Sequence, residues 1–410
     1  PEFDEVRIVR YTWAQDAAAD PRRLVPLLVE LAAAPRANRE ETDYVVDAYT
    51  LHATHAGHVA APPFEPTQAS FVAADGATLA LSGVQPLRHH GVQAGHLPSG
   101  GRGAVGLEWR WERPPATELR VSLRLLDALG KPVGQADSLL VDGGGQTPVD
   151  DALVTYHPVM AAPGTPPGSY ALELIVYEPA ADRRLPLNRA GAPRDAAPIG
   201  RLAVGAPLDQ AVAYAPSFAA EEPVALTPDL SLLGVEIAAE SVAPGMPVDL
   251  TLAWAQHNGE RPTALRFRLG DTVVGRETLA LSAGGPWRTT HRILIPEQLP
   301  PDAYRLTLDA GGEAAAELTT LTVAAGPSPE SEARSVRFAG GLQLVDHAVE
   351  LAAPDARITL WWRQDGSDAP LPDYTVFVHL FDKKRRLIAQ RDTEPVNGRY
   401  PTSVWPPDRV

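Results

Sequence analysis

From residue 64 to the end of the chain, short runs recur in which every second side chain is apolar. Val105, Leu107, Trp109 and Trp111 alternate with Gly106, Glu108 and Arg110, and Val248, Leu250, Leu252 and Trp254 alternate with Asp249, Thr251 and Ala253. The stretch 356–390 predicts three strands, Ile358–Arg363, Tyr374–Asp382 and Leu387–Gln390, separated by turn residues. A period of two sends one face of a strand into a core and the other into water, the pattern of antiparallel sheets in a sandwich. The predicted fold is therefore mainly β: tandem immunoglobulin-like antiparallel β-sandwiches, preceded by a small α/β (strand–helix–strand) segment.

That segment covers residues 1–60. It has strands over Val6–Tyr11 and Asp43–Leu51. Between them a helix is capped by Asp20 and Pro21, with Leu24, Val25, Leu27, Leu28 and Leu31 on its apolar face and Pro26 interrupting it. One such unit cannot bury both of its faces, so it reads as the end of a larger domain or as a cap. Three sandwiches follow, over 64–206, 216–325 and 334–410. Pro166-Pro167-Gly168-Ser169-Tyr170 and Pro300-Pro301-Asp302-Ala303-Tyr304 repeat one device, two prolines and then a tyrosine that opens a late strand. Gly234 to Trp254 and Gly341 to Trp361 each span 20 positions, a spacing that aligns the second and third modules. The third contains no proline–proline–tyrosine strand, so it is expected to be C-terminally incomplete and to expose an unpaired edge.

Composition narrows the function. The formal net charge is −15, and Lys131, Lys383 and Lys384 are the only lysines. An acidic balance argues against nucleic acid and against an anionic membrane surface as direct partners. With no cysteine among 410 residues, disulfides and thiolate metal sites are excluded. The 41 prolines beside 33 glycines fit many short strands joined by stiff turns. No apolar run approaches the ~20 residues needed to cross a bilayer as a helix.

Candidate chemistry is sparse. Trp109, Trp111, Trp254 and Trp362 share phase with apolar neighbours and read as core. Trp361 falls on the opposite phase, where an indole can stack on a sugar ring, and it is the one ligand-binding candidate. His379, on a strand apolar on both faces, reads as structural. His52, His55 and His58 are spaced as metal ligands but lie among glycine and prolines without a carboxylate, so no metal is expected. Asp142, Asp150 and Asp151, and Asp365 with Asp368, lack the spacing of a calcium loop. Gly143-Gly144-Gly145 lacks the Gly-Lys-Ser/Thr of a phosphate loop. No catalytic residue and no cofactor is assigned.

The stretch LPDYTVFVHLFDKKRRLIAQRDTEPVNGRYPTSVWPPDRV, residues 371–410, resembles the C-terminal extracytoplasmic modules of bacterial multi-pass membrane glycosyltransferases related to the dolichyl-phosphate-mannose–protein mannosyltransferases. The opening DEVRIVRYTWAQDAAADPRRLVPLLVEL resembles the end of the small α/β domain of those proteins. The resemblance implies a non-catalytic region on the extracytoplasmic face of the membrane or the cell surface, anchored through a segment not present here. The family's catalytic residues lie on its membrane region, so none carries over. The partners it implies are a glycan or glycosyl acceptor and the membrane-embedded region of the same parent. A stand-alone carbohydrate-binding protein, or a cell-surface structural or filament protein, is the alternative.

Overall fold

A computed structural model describes residues 5–11, 29, 33–40, 44–51, 63–87, 95–111, 113–142, 152–188, 195–207, 219–237, 241–259, 262–312, 314–324, 335–338, 340–352, 355–364, 371, 374–395, 402 and 405. Most of them are strand. The chain divides into two compact units, Pro1–Ala215 with Leu281–Thr289, and Pro216–Ala280 with Thr290–Val410.

Strands β1 (Glu5–Tyr11), β2 (Ala33–Glu40) and β3 (Tyr44–Leu51) form an antiparallel sheet in the order β1-β3-β2. The two strands expected from the sequence are present. The third, β2, was not expected, because AAPRANRE has no apolar alternation and contains a proline. It is tolerated because β2 pairs on one side only and the ladder shifts register between Pro35 and Ala37. The helix expected after Asp20 lies outside the described residues apart from Val29.

The first sandwich begins with β4 (Glu65–Val72), β5 (Thr78–Pro86), β6 (His96–Pro98), β7 (Arg102–Trp111) and β8 (Glu118–Leu126). It continues with β9 (Pro132–Asp142), β10 (Leu153–Met160), β11 (Gly168–Glu178), β12 (Arg183–Arg184) and β13 (Ala196–Gly205). One sheet runs β10-β7-β5-β4 and the other β6-β13-β11-β8-β9, with β12 beside β11. The glycine-rich segment 96–103 contains β6, which pairs parallel to β13. Leu79, Leu107, Trp109, Leu119, Leu123 and Leu125 are fully buried between the sheets.

The second sandwich repeats this plan. Its strands are β14 (Ala219–Ala225), β15 (Leu230–Ile237), β16 (Ser241–Val242), β17 (Pro247–Gln256) and β18 (Thr263–Leu269), then β19 (Thr272–Leu279), β20 (Gly284–Leu294), β21 (Asp302–Asp309) and β22 (Ala315–Val323). The sheets run β14-β15-β17-β20 and β16-β22-β21-β18-β19, with β16 parallel to β22 just as β6 is to β13. The third module has β23 (Val336–Phe338), β24 (Leu342–Ala352) and β25 (Asp355–Gln364) in one sheet, and a hairpin of β26 (Val376–Phe381) and β27 (Leu387–Thr393). These match β14, β15 and β17 and then β18 and β19. Among the described residues nothing corresponds to β20, β21 or β22.

Strand pairing corrects the alignment of the modules. In all three, the ladder between the first long strand and its tryptophan-bearing partner bulges at one place. Leu81 faces Trp109, Leu232 faces Trp254 and Leu344 faces Trp362, and beyond one extra residue Gly83, Gly234 and Asp346 resume the pairing. Trp362, not Trp361, is therefore the counterpart of Trp254, and Asp346, not Gly341, that of Gly234. A bulge inserts a residue and shifts the alternation by one, so equal spacings from a glycine do not mark equal places. The motif behind the repeat is Leu-x-Leu-x-Gly/Asp, at 79–83, 230–234 and 342–346.

The proline–proline–tyrosine device has a physical explanation. The Tyr170 hydroxyl donates to the Pro166 carbonyl at 2.7 Å, and Tyr304 donates to Pro300 at 2.9 Å. Each phenol bonds to the backbone four residues upstream and closes the corner from which β11 or β21 departs, a tyrosine corner of the immunoglobulin kind. Proline favours the extended approach, and its carbonyl, with no ladder to join, is left for the phenol.

Replacing Tyr170 or Tyr304 with phenylalanine should each lower unfolding free energy by about 1 kcal/mol, measured by urea titration. Burial, with Asp127 nearby, pushes the Tyr170 phenol up to about 12, so the native state favours its neutral form. That contribution is complete below the unfolded value of about 10 and is lost as pH rises through about 12. The alkaline decline in stability should be shallower in Tyr170→Phe, and an unchanged decline would remove Tyr170 as its source.

Candidate functional site

The polar side chains that the structure brings together lie between the sheets near their edges and on the outer faces of the sandwiches. In the first, the Trp109 indole donates to Thr155 Oγ1 at 2.9 Å, Thr155 Oγ1 lies 2.7 Å from His157 Nε2, and His157 Nδ1 lies 2.8 Å from Ser138 Oγ. Thr155 and His157 are wholly buried. This chain links β7 and β10 of one sheet to β9 of the other. The second sandwich solves the same problem differently. His291, on β20, bonds Glu277 on β19 at 2.6 Å and packs edge-on against Trp254, ring centroids 6.2 Å apart. A histidine thus bridges the two sheets in both modules, and the sequence gives no periodic signal for it because each stands as a single polar residue on an inward phase.

Close approach of backbone occurs at the same edges. A Cβ on Gly134 of β9 would lie 1.9 Å from the Met160 carbonyl oxygen, and one on Gly275 of β19 3.1 Å from Ile293. Both glycines sit beside a bulge in the hairpin ladder. Each therefore acts by its lack of a side chain.

Outside, cross-strand ion pairs tie β8 to β11 and β18 to β21. Arg124 pairs with Glu173, and Arg266 grips Asp309 with Nε and Nη2, the shortest contact being 2.8 Å. Arg268 adds a contact to Asp309 at 3.4 Å. Hydrogen bonding from Arg266, with further donation from the Gly311 amide, holds the Asp309 carboxyl below the ordinary carboxylate range.

Trp361 is half-buried, opposite Asp346, and its indole N–H is shielded from solvent without a hydrogen-bond partner. Trp111, deep in the first core, has the same unpaired indole, so this feature alone does not distinguish Trp361. Trp109, Trp111 and Trp254 are buried, as their phase requires. Trp362 is half-buried with its ring centroid 5.4 Å from that of Phe338, a pairing that reproduces Phe71 on Trp109 at 6.3 Å. His379 lies 3.9 Å from Asp392 across the β26–β27 ladder. His52, His55 and His58, the triple glycine at 143–145, and Asp150, Asp151, Asp365 and Asp368 lie outside the described residues. Among the described residues no group of three or more histidines and carboxylates is placed to hold a metal, and no helix is long and apolar enough to cross a membrane.

The sequence matches no protein-family model and no curated protein. The buried histidines and hydroxyls described above are engaged in joining strands or sheets.

The Asp309 pair gives a pH test. Because the folded carboxyl is held below its unfolded value, its contribution is present above the ordinary carboxylate range and is lost as pH falls through the lowered native value. Asp309→Asn should lower the urea midpoint at neutral pH and flatten the acid limb of stability against pH. An acid limb identical to that of the unsubstituted protein would show that Arg266–Asp309 contributes nothing to it.

Proposed function

We propose that this chain is a non-catalytic, extracytoplasmic β-sandwich region of a membrane glycosyltransferase, which positions the acceptor or its glycan or braces the enzyme at the cell envelope. One observation carries the reading: a single sandwich plan occurs twice in full and a third time in part, and its polar side chains are used in bracing the sheets. A scaffold needs that arrangement and an active site does not. The resemblance of residues 371–410 to the extracytoplasmic modules of such enzymes supplies the parent. Removing residues 64–410 from the parent enzyme should alter acceptor range or assembly and leave turnover of the sugar donor intact. Unchanged acceptor range together with unchanged assembly sinks the proposal.

A second reading, carbohydrate binding by the chain in its own right, is favoured by Trp361, which is only half-buried and lies on the strand phase opposite Trp362. On a glycan array the full chain should then retain a glycan that Trp361→Ala does not. Equal signals from the two proteins, or none from either, would dismiss it.

A further inference from the structure

Two hairpins in this protein are built on one turn. In the first sandwich Asp127 opens it: Asp127 N donates to the Lys131 carbonyl, Gly130 N to the Asp127 carbonyl, and the Asp127 carboxylate accepts from the amides of Leu129 and Lys131, each at 2.8 Å. In the third module Asp382 repeats every bond. Asp382 N donates to Arg386, Arg385 N to Asp382, and the Asp382 carboxylate accepts from Lys384 N at 2.8 Å and Arg386 N at 2.9 Å. The ladders behind both turns bulge at the same step, between Leu125 and Leu126 and between Leu380 and Phe381. Residues 121–138 and 376–393 therefore match one to one, through Gln135 with Gln390 and Asp137 with Asp392.

The shared frame isolates what differs. Ala128-Leu129-Gly130-Lys131 becomes Lys383-Lys384-Arg385-Arg386, four consecutive cations in a chain with a net charge of −15. Arg385 even occupies the left-handed position, φ 58°, that glycine fills at φ 73° in the first sandwich. A β-carbon is strained there, and the chain places a cation at it nonetheless. Behind the turn, Ser122, Leu126, Pro132 and Val133 become Phe377, Phe381, Leu387 and Ile388. Leu126 and Val133 are half-buried, whereas Phe377 is 65%, Phe381 52%, Leu387 49% and Ile388 62% exposed.

We infer that the β26–β27 hairpin docks on an anionic lipid surface, with the Lys383–Arg386 turn at the headgroups and Phe381, Leu387 and Ile388 entering the interface behind it. Adjacent cations and apolar side chains on one rigid tip are the combination such a surface binds, each cation by attraction and each apolar group by leaving water. An acidic protein surface would satisfy the cations but gives no reason for the three bulky apolar groups, Phe381, Leu387 and Ile388, exposed beside them. The whole-chain charge weighs against such a surface, but it acts at a distance. Asp382 at the base of the turn pairs with Arg386 and leaves Lys383, Lys384 and Arg385 to face outward, and along β27 the next acidic residue, Asp392, stands six positions beyond Arg386. That is about 20 Å at ~3.3 Å per residue, against a screening length of about 8 Å in physiological salt.

The test is co-sedimentation of the full chain with vesicles of phosphatidylcholine alone or mixed with phosphatidylglycerol. Pelleting is expected only with the anionic vesicles. Lys383→Gln and Lys384→Gln, both at exposed turn positions, should each weaken it about fivefold. Phe381→Ser with Ile388→Ser should weaken it further and remove the part that survives high salt, with the thermal unfolding midpoint unchanged as the check on folding. Failure to pellet with anionic vesicles overturns the proposal, as does pelleting indifferent to the lysine substitutions. Self-association without lipid that the serine pair abolishes would assign the surface to a second copy of this chain. Either result leaves the acceptor-positioning role untouched, since that is read from the parent enzyme's acceptor range.

Discussion

Each sandwich depends on keeping a tryptophan opposite a bulged strand. The indole of Trp109 or Trp254 is too large to tolerate a slip in register, because moving the strand by one residue would turn it from core to solvent. The bulge absorbs one extra residue at the point where the leucine of the neighbouring strand meets that ring, and it bends the strand so that its next apolar residue again faces inward. Val84 and Val235 sit three positions beyond their leucines for this reason, not two. Both copies then close their cores with a second sheet whose tyrosine corner, ion pair and histidine bridge differ in detail while serving one geometry.

The third module shows what that closure contributes. It has the same leucine–tryptophan contact and the same phenylalanine against the indole, yet Phe338 is exposed where Phe71 is buried. Ile358 is exposed too, although its counterparts Val105 and Leu250 are completely covered. One sheet with a hairpin thus fixes register without excluding water from the apolar face. The distinction between a specified register and a sealed core is visible within one chain.

Much of this architecture was legible in the sequence, and the parts that were not have identifiable causes. Alternation located β7 and β17, because a strand with one wet face writes its period directly. The proline–proline–tyrosine repeat was recognised as a device, though the bond that explains it joins a side chain to a carbonyl and leaves no periodic trace. Spacing placed Trp361 beside Trp254, because a single inserted residue is invisible to a count that assumes unbroken strands. The short parallel strands β6 and β16 were missed for want of length. The whole-chain charge concealed the run at Lys383–Arg386, since an average over 410 residues cannot register four.

Those parallel strands carry a mechanical implication. Ala203, Val204 and Gly205 of β13 run alongside His96, Leu97 and Pro98 of β6, and Thr322 and Val323 alongside Ser241 and Val242. A lengthwise pull that drew such a pair in opposite directions would load all of its hydrogen bonds together in shear, whereas a peeling pull would break them singly. Each complete sandwich therefore has a clasp that resists a lengthwise pull better than a peeling one.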